Sequence, residues 1–230
     1  MVATIARLAY SGPVFEARVQ LFAIALEVCF VRPRPFEEAK LDELAAWLTD
    51  PLDGFALRAG QVRVRRTDPV FDYELSASLF GGNATLTRDA EKTLFSARGA
   101  RNHRDAEILE QTAVRFVNSV AVPDQLEVSV SVNAHASLAS EEIRAACLGR
   151  FRVDDRVIGP GALGFARVDG WPEDIRIAIE PSVGVPESLF FSWHTRLLPA
   201  GQPVQALRPL ADALQSAARI YGISLSLGPA

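Results

Sequence analysis

The chain has 230 residues, is 49% apolar and 23% charged, and carries a formal charge of −4 with a pI near 5.5. Disorder needs lower hydrophobicity with higher charge, and collagen-like or disulfide-scaffold chains need far more than its 15 glycines and two cysteines, so the composition is that of a globular protein. A net acidic chain also lacks the basic footprint that binding to a phosphate backbone requires, which argues against nucleic acid as a partner.

From the start, Arg7 and the Ser11-Gly12-Pro13 break interrupt what a secretory signal would need as a continuous apolar stretch. The apolar run Leu21 to Leu26 stops at Glu27, well short of the roughly 18–20 residues that cross a bilayer. No membrane span and a cytoplasmic location are therefore expected. Phe22, Ile24, Leu26, Val28 and Phe30 alternate as the buried face of a strand. From Phe36 to Thr49 the apolar residues Phe36, Leu41, Leu44 and Leu48 recur at helical spacing. Glu37 and Glu38 stand in the first turn, where the helix dipole favours them, and Asp50-Pro51 ends the run.

Three strand-like segments follow, near 55–66, 71–80 and 84–98. Thr67-Asp68-Pro69 predicts a tight turn that sets Arg65 opposite Asp72 and Arg63 opposite Glu74, neutralising a local cluster of arginines. A second helix is expected near 105–120, with Leu109, Ala113, Phe116 and Val120 on one side. The same order of elements then returns. Leu126, Val128, Val130 and Val132 alternate on a strand, and Ser140 is placed to cap a helix opened by Glu141 and Glu142, with Ile143, Ala146 and Cys147 as its apolar stripe. Strands follow near 163–168, 174–180 and 189–198, then a helix near 204–221 in which Pro209 suits a first helical position.

The expected fold is therefore α+β: two internally duplicated β-α-β-β-β-α units, residues 1–122 and 123–230, each an antiparallel sheet with helices packed on one face. Leu26-Glu27-Val28 returning as Leu126-Glu127-Val128 supports duplication. The join at Val122-Pro123-Asp124 is too short for a flexible linker, so rigid packing of the units is expected.

Chemistry-bearing motifs are few. Gly159 to Gly164 fits the glycine spacing of dinucleotide sites, but no helix pattern follows it, so a glycine-rich entry to a hairpin is expected. Cys29 and Cys147 sit among apolar neighbours and read as buried free thiols. No His or Cys pair has zinc-ligand spacing, and Asp154, Asp155, Asp169, Glu173 and Asp174 lie around turns where acidic residues are common, so neither a metal nor a cofactor is expected. His103 reads as a surface or capping residue at a helix start.

His135-Ala136-Ser137-Leu138 resembles one arm of the two-histidine phosphoesterases, a family with a duplicated α+β fold whose paired His-x-Ser/Thr motifs act on a phosphodiester. The second arm departs from that pattern, because Thr195 follows His194 directly and on a strand points to the opposite face.

A broader constellation comes from parity. Glu127, Ser129, Ser131, Asn133 and His135 share the polar face of one strand, and Ser192, His194 and Arg196 share a face of another. If the two strands are neighbours, these residues form a single surface with Phe190 at its side. The primary expectation is a non-enzymatic binding or assembly module that engages another protein or a second copy of itself. It would do so through that face (Glu127, Ser129, Asn133, His135, Ser192, His194 and Arg196) or through an edge strand. The second is a small-molecule-binding protein or phosphoesterase-like hydrolase, with His135 and His194 as the candidate catalytic acid and base and Arg196 holding an anion.

Overall fold

The structure is a computed structural model that describes residues 12–38, 41, 62–67, 70–100, 102, 104–105, 107–108, 111–112, 125–152, 161–166, 175–199, 215–216 and 218–227. Its strands are β1 (Phe15–Phe30), β2 (Arg63–Arg66), β3 (Tyr73–Leu79), β4 (Ala84–Arg88), β5 (Lys92–Ala100), β6 (Gln125–Leu138), β7 (Ala162–Ala166), β8 (Ile175–Pro181), β9 (Ser188–Pro199) and β10 (Ile223–Ser226). They form one sheet in the order β2-β3-β4-β5-β1-β6-β9-β8-β7, antiparallel throughout, with β10 added in parallel beside the first residues of β1. The single α-helix whose bounds are complete is α1 (Glu141–Gly149); other helical residues are Leu41 and some between 104 and 112 and between 215 and 220, with a 3-10 turn at Phe80–Gly82.

This overturns the α+β class of two duplicated, helix-packed units. The protein is predominantly β, and β1 and β6 pair along almost their whole length, so the two segments lie in one sheet, which the sequence left open. The units also fail to match strand for strand. The segment 84–98 is a hairpin rather than one strand: the Asp89 carboxylate accepts the backbone N–H groups of Glu91 and Lys92, each at 2.8 Å, and turns the chain between β4 and β5. Parity carries the signal, since the buried residues are even-numbered through Ala84, Leu86 and Ala90 and odd-numbered through Thr93, Phe95 and Ala97.

Phe22, Ile24, Leu26, Val28 and Phe30 do line the buried face of β1, beside Val128, Val130, Val132 and Ala134 of β6, and Phe191 and Trp193 of β9 continue that face opposite Ala134 and Val132. A bulge between Val19 and Leu21 switches the phase, so that Ala17 and Val19 join the same face before it. Ser140 caps α1 as expected, its hydroxyl accepting the Ile143 N–H at 3.3 Å. The stripe that α1 buries is corrected, however: Cys147 and Leu148 are buried, Ile143 is half-buried and Ala146 is exposed. The β2–β3 hairpin is also displaced from its expected register. Thr67 N–H bonds the carbonyl of Asp72 at 2.9 Å, Arg65 faces Glu74, and Arg63 faces Ser76.

Of the helix expected at 36–49 only residues 36–38 and 41 are described, with Leu41 helical; of the one at 105–120, residues 105, 107, 108, 111 and 112 are described and helical; the first part of the one at 204–221 and the join at 122–124 lie outside the described residues. Among the described residues, no helix is long and apolar enough to cross a membrane.

Candidate functional site

β6 and β9 are direct neighbours, so the alternation read from sequence does gather its polar residues on one surface. Ser131 lies opposite His194, Asn133 opposite Ser192, and Ser129 opposite Arg196. Beyond a bulge at Val128/Ser129, Glu127 reaches back to Arg196, whose Nε donates to its carboxylate at 2.9 Å. Trp193 and Thr195 point the other way and are buried. Thr195 therefore shares no face with His194, and the residue departs structurally as well as in spacing from the phosphoesterase motif.

The two histidines lie on the same face but not in one site. His135 is opposite Phe190, whereas His194 is opposite Ser131, four residues back along β6. At about 3.3 Å per residue that is roughly 13 Å, too far for both to act on one bond. Each is held by a serine through Nδ1. Ser131 Oγ lies 2.9 Å from the His194 ring nitrogen, and Ser182 Oγ, in the β8–β9 turn, lies 2.8 Å from that of His135. Ser182 Oγ also accepts the Val185 N–H at 2.9 Å, which fixes the serine within the turn beside the ring. Burial against Phe190, 5.0 Å between ring centroids, pushes the His135 pKa below its ordinary value.

The face continues across β1, which parity in that strand made legible although its residues were not assigned to the site. Ala23 lies beside Asn133, Ala25 beside Ser131, and Glu27 beside Ser129. From β5, Ser96 lies beside Ala25 and Lys92 beside Cys29. Lys92 donates to Glu27 at 2.8 Å. Cys29 proves to be half-buried on this open face rather than in the core, with Sγ 3.5 Å from the Glu27 carboxylate; burial and that negative charge raise its pKa. Cys147 is the buried thiol, its pKa pushed up to about 11 by desolvation. On the far side, Arg176 of β8 lies opposite His194 and Ala178 opposite Ser192.

The resulting surface is paved at its centre with Ala23, Ala25, Ser96, Ser129, Ser131, Asn133, Ser192 and Ala178, all half-buried. Its charges near the Glu127 end are tied off as Arg196–Glu127 and Lys92–Glu27. The reading of Arg196 as an anion holder meets an arginine already occupied by a carboxylate.

Of the glycine-rich segment, Gly161 and Gly164 are described and serve packing. A Cβ on Gly161 would meet the Ile179 carbonyl at 2.6 Å, and one on Gly164 would meet the Tyr221 hydroxyl. His103 and the acidic residues Asp154, Asp155, Asp169, Glu173 and Asp174 lie outside the described residues. Among the described residues, no group of three or more His, Cys, Asp or Glu could hold a metal ion. No protein-family model matches the chain, and no curated protein matches it.

Proposed function

We propose that the protein is a non-enzymatic binding module whose working surface is the open sheet face centred on β1, β6 and β9, and that its partner is another protein presenting a flat surface. The observation that carries this reading is the small-residue centre of the face. Alanine, serine and asparagine are weak strand formers in central strands, so their presence there does not serve sheet stability. They leave a level surface that loses little side-chain entropy when it is covered. The candidate acid and base lie far apart, each engaged with a serine, and nothing among the described residues orients them toward a common substrate atom.

The test is capture of a partner from the source cell by the intact protein, with the partner then purified and its affinity measured. Ala25→Arg and Ser131→Arg raise a long charged side chain at the centre of the face and are expected to weaken binding at least tenfold. His135→Ala and His194→Ala are expected to leave it within threefold. Binding that survives both arginine substitutions, or a turnover abolished by a single histidine change, would overturn the reading.

A further inference from the structure

We propose that the outer edge of β7 pairs with the same edge of a second copy of the chain, antiparallel and centred on Gly164, to make a two-fold dimer with one continuous sheet. The inference goes beyond the binding-face reading above and concerns the rim of the sheet rather than the centre of its face.

Among the described residues the main strand path ends at β2 and at β7, and these two edges are built differently. β2 carries Arg63, Arg65 and Arg66, all exposed, so two copies meeting there would set arginines against arginines. Charged edge residues are a common guard against strand addition. β7 reads Ala162-Leu163-Gly164-Phe165-Ala166 and has no charge, no proline and no described strand on its outer side. Its two large residues are the reverse of what a free edge tolerates: Leu163 is 67% exposed and Phe165 is 75% exposed. Both stand on the open face, opposite Ala178 and Arg176 of β8.

The sequence of the strand is symmetric in side-chain size about Gly164. Antiparallel pairing of two copies through a two-fold axis at that residue sets Leu163 of each against Phe165 of the other, and Ala162 against Ala166. An isologous contact demands this kind of self-complementarity. Each Phe165 would then lie between Arg176 of its own chain and Leu163 of the partner copy, covering both exposed apolar residues at once. On the other face, Gly164 has the Tyr221 hydroxyl where its Cβ would be, so the strand is braced from the core side. A five-residue edge buries less than a standard interface, and the dimer is expected to be weak, with a Kd on the order of 10 μM.

Sedimentation velocity on the full chain from about 1 to 200 μM spans that expected range. The wild-type mass should rise from 25.0 kDa toward twice that value. Phe165→Glu should stay at the monomer mass over the whole range, because two carboxylates would face the apolar side chains across the axis. Val64→Glu on the opposite edge, and Ala25→Arg at the centre of the face, should dimerise as the wild type does. A wild type that stays monomeric throughout overturns the edge pairing, as does a dimer that Phe165→Glu leaves intact. A dimer lost in Ala25→Arg but kept in Phe165→Glu means that copies meet face to face, which also overturns it. The binding-face reading fails separately, when partner binding is indifferent to Ala25→Arg.

Discussion

Neighbouring residues Val130 and Ser131 of β6 provide a direct test of which side of the sheet is core. Val130 is completely buried between Leu26 and Thr195, whereas Ser131 is half-buried on the open face beside Ala25 and His194. Val130→Ala removes two methyl groups from water-free packing. At roughly 0.8 kcal/mol per buried carbon that is about 1.6 kcal/mol of transfer free energy. The central position of β6 leaves little room for collapse, so a cavity contribution raises the expected loss to about 2–3 kcal/mol. Ser131→Ala removes only the 2.9 Å contact with His194 at a hydrated site, and less than about 0.5 kcal/mol is expected. Urea unfolding followed by circular dichroism measures both, provided the slope is unchanged between variants. The reasoning is refuted if the two substitutions cost the same. An Ser131→Ala loss near 2 kcal/mol would mean that this face is covered in solution, and a Val130→Ala loss below about 0.5 kcal/mol would mean that the register is shifted by one residue.

Other expectations follow from single contacts. His135 has a folded-state pKa below its ordinary 6.5, so the unfolded chain binds the proton more tightly. Its contribution to stability is intact above pH 6.5 and declines as pH falls below it toward the depressed folded value; His135→Gln should flatten that decline in urea midpoints measured between pH 5 and 7. At pH 8, alkylation followed by mass spectrometry should label Cys29 before Cys147, whose thiol is buried and held near pKa 11, and full labelling of Cys147 should require denaturant. Gly164→Ala should cost about 1–3 kcal/mol in the same unfolding assay, because the new methyl group meets the Tyr221 hydroxyl, and Gly164→Ala combined with Tyr221→Phe should recover much of it. Arg196→Ala should change stability by less than about 1 kcal/mol, with the difference shrinking in high salt, since the Glu127 pair lies at the surface.

The strands were legible because one face of each is fully buried and a period of two leaves a clean record. β1, β6, β8 and β9 fall within a few residues of their expected positions, and the cap of α1 falls on the serine that its chemistry requires. Where parity is interrupted, the reading fails. The β4–β5 turn has no glycine or proline; it is made by the Asp89 carboxylate, and its one trace is the switch from even to odd buried positions. Whether separate strands share a sheet is not written in local periodicity at all, so the pairing of β1 with β6 into one sheet was not legible in the pattern of repeated segments. The site followed the same logic. Parity placed Glu127, Ser129, Asn133, Ser192, His194 and Arg196 on one surface, but distance along a strand separates His135 from His194, and the Ser182 partner of His135 comes from a turn with no periodic signature.

The sheet therefore has two faces with opposite physical demands. On the core side, Trp193, Phe191, Phe22, Phe95 and the isoleucines of β8 interlock, and any change of volume there is opposed by neighbours on every side. On the open side the central side chains are short, so the backbone surface is close to whatever covers it, and substitution is tolerated until something large or charged is introduced. Arg196, Lys92, Glu27 and Glu127 pair with one another to one side of the small-residue centre, Arg98 of β5 lies beside Ala23, and Arg176 stands toward the β7 rim. The apolar Leu163 and Phe165 stand at that same rim. On the proposed reading the small-residue centre meets a partner protein and the apolar β7 edge meets a second copy, and the arginine and glutamate substitutions proposed above separate the contribution of the centre from that of the edge.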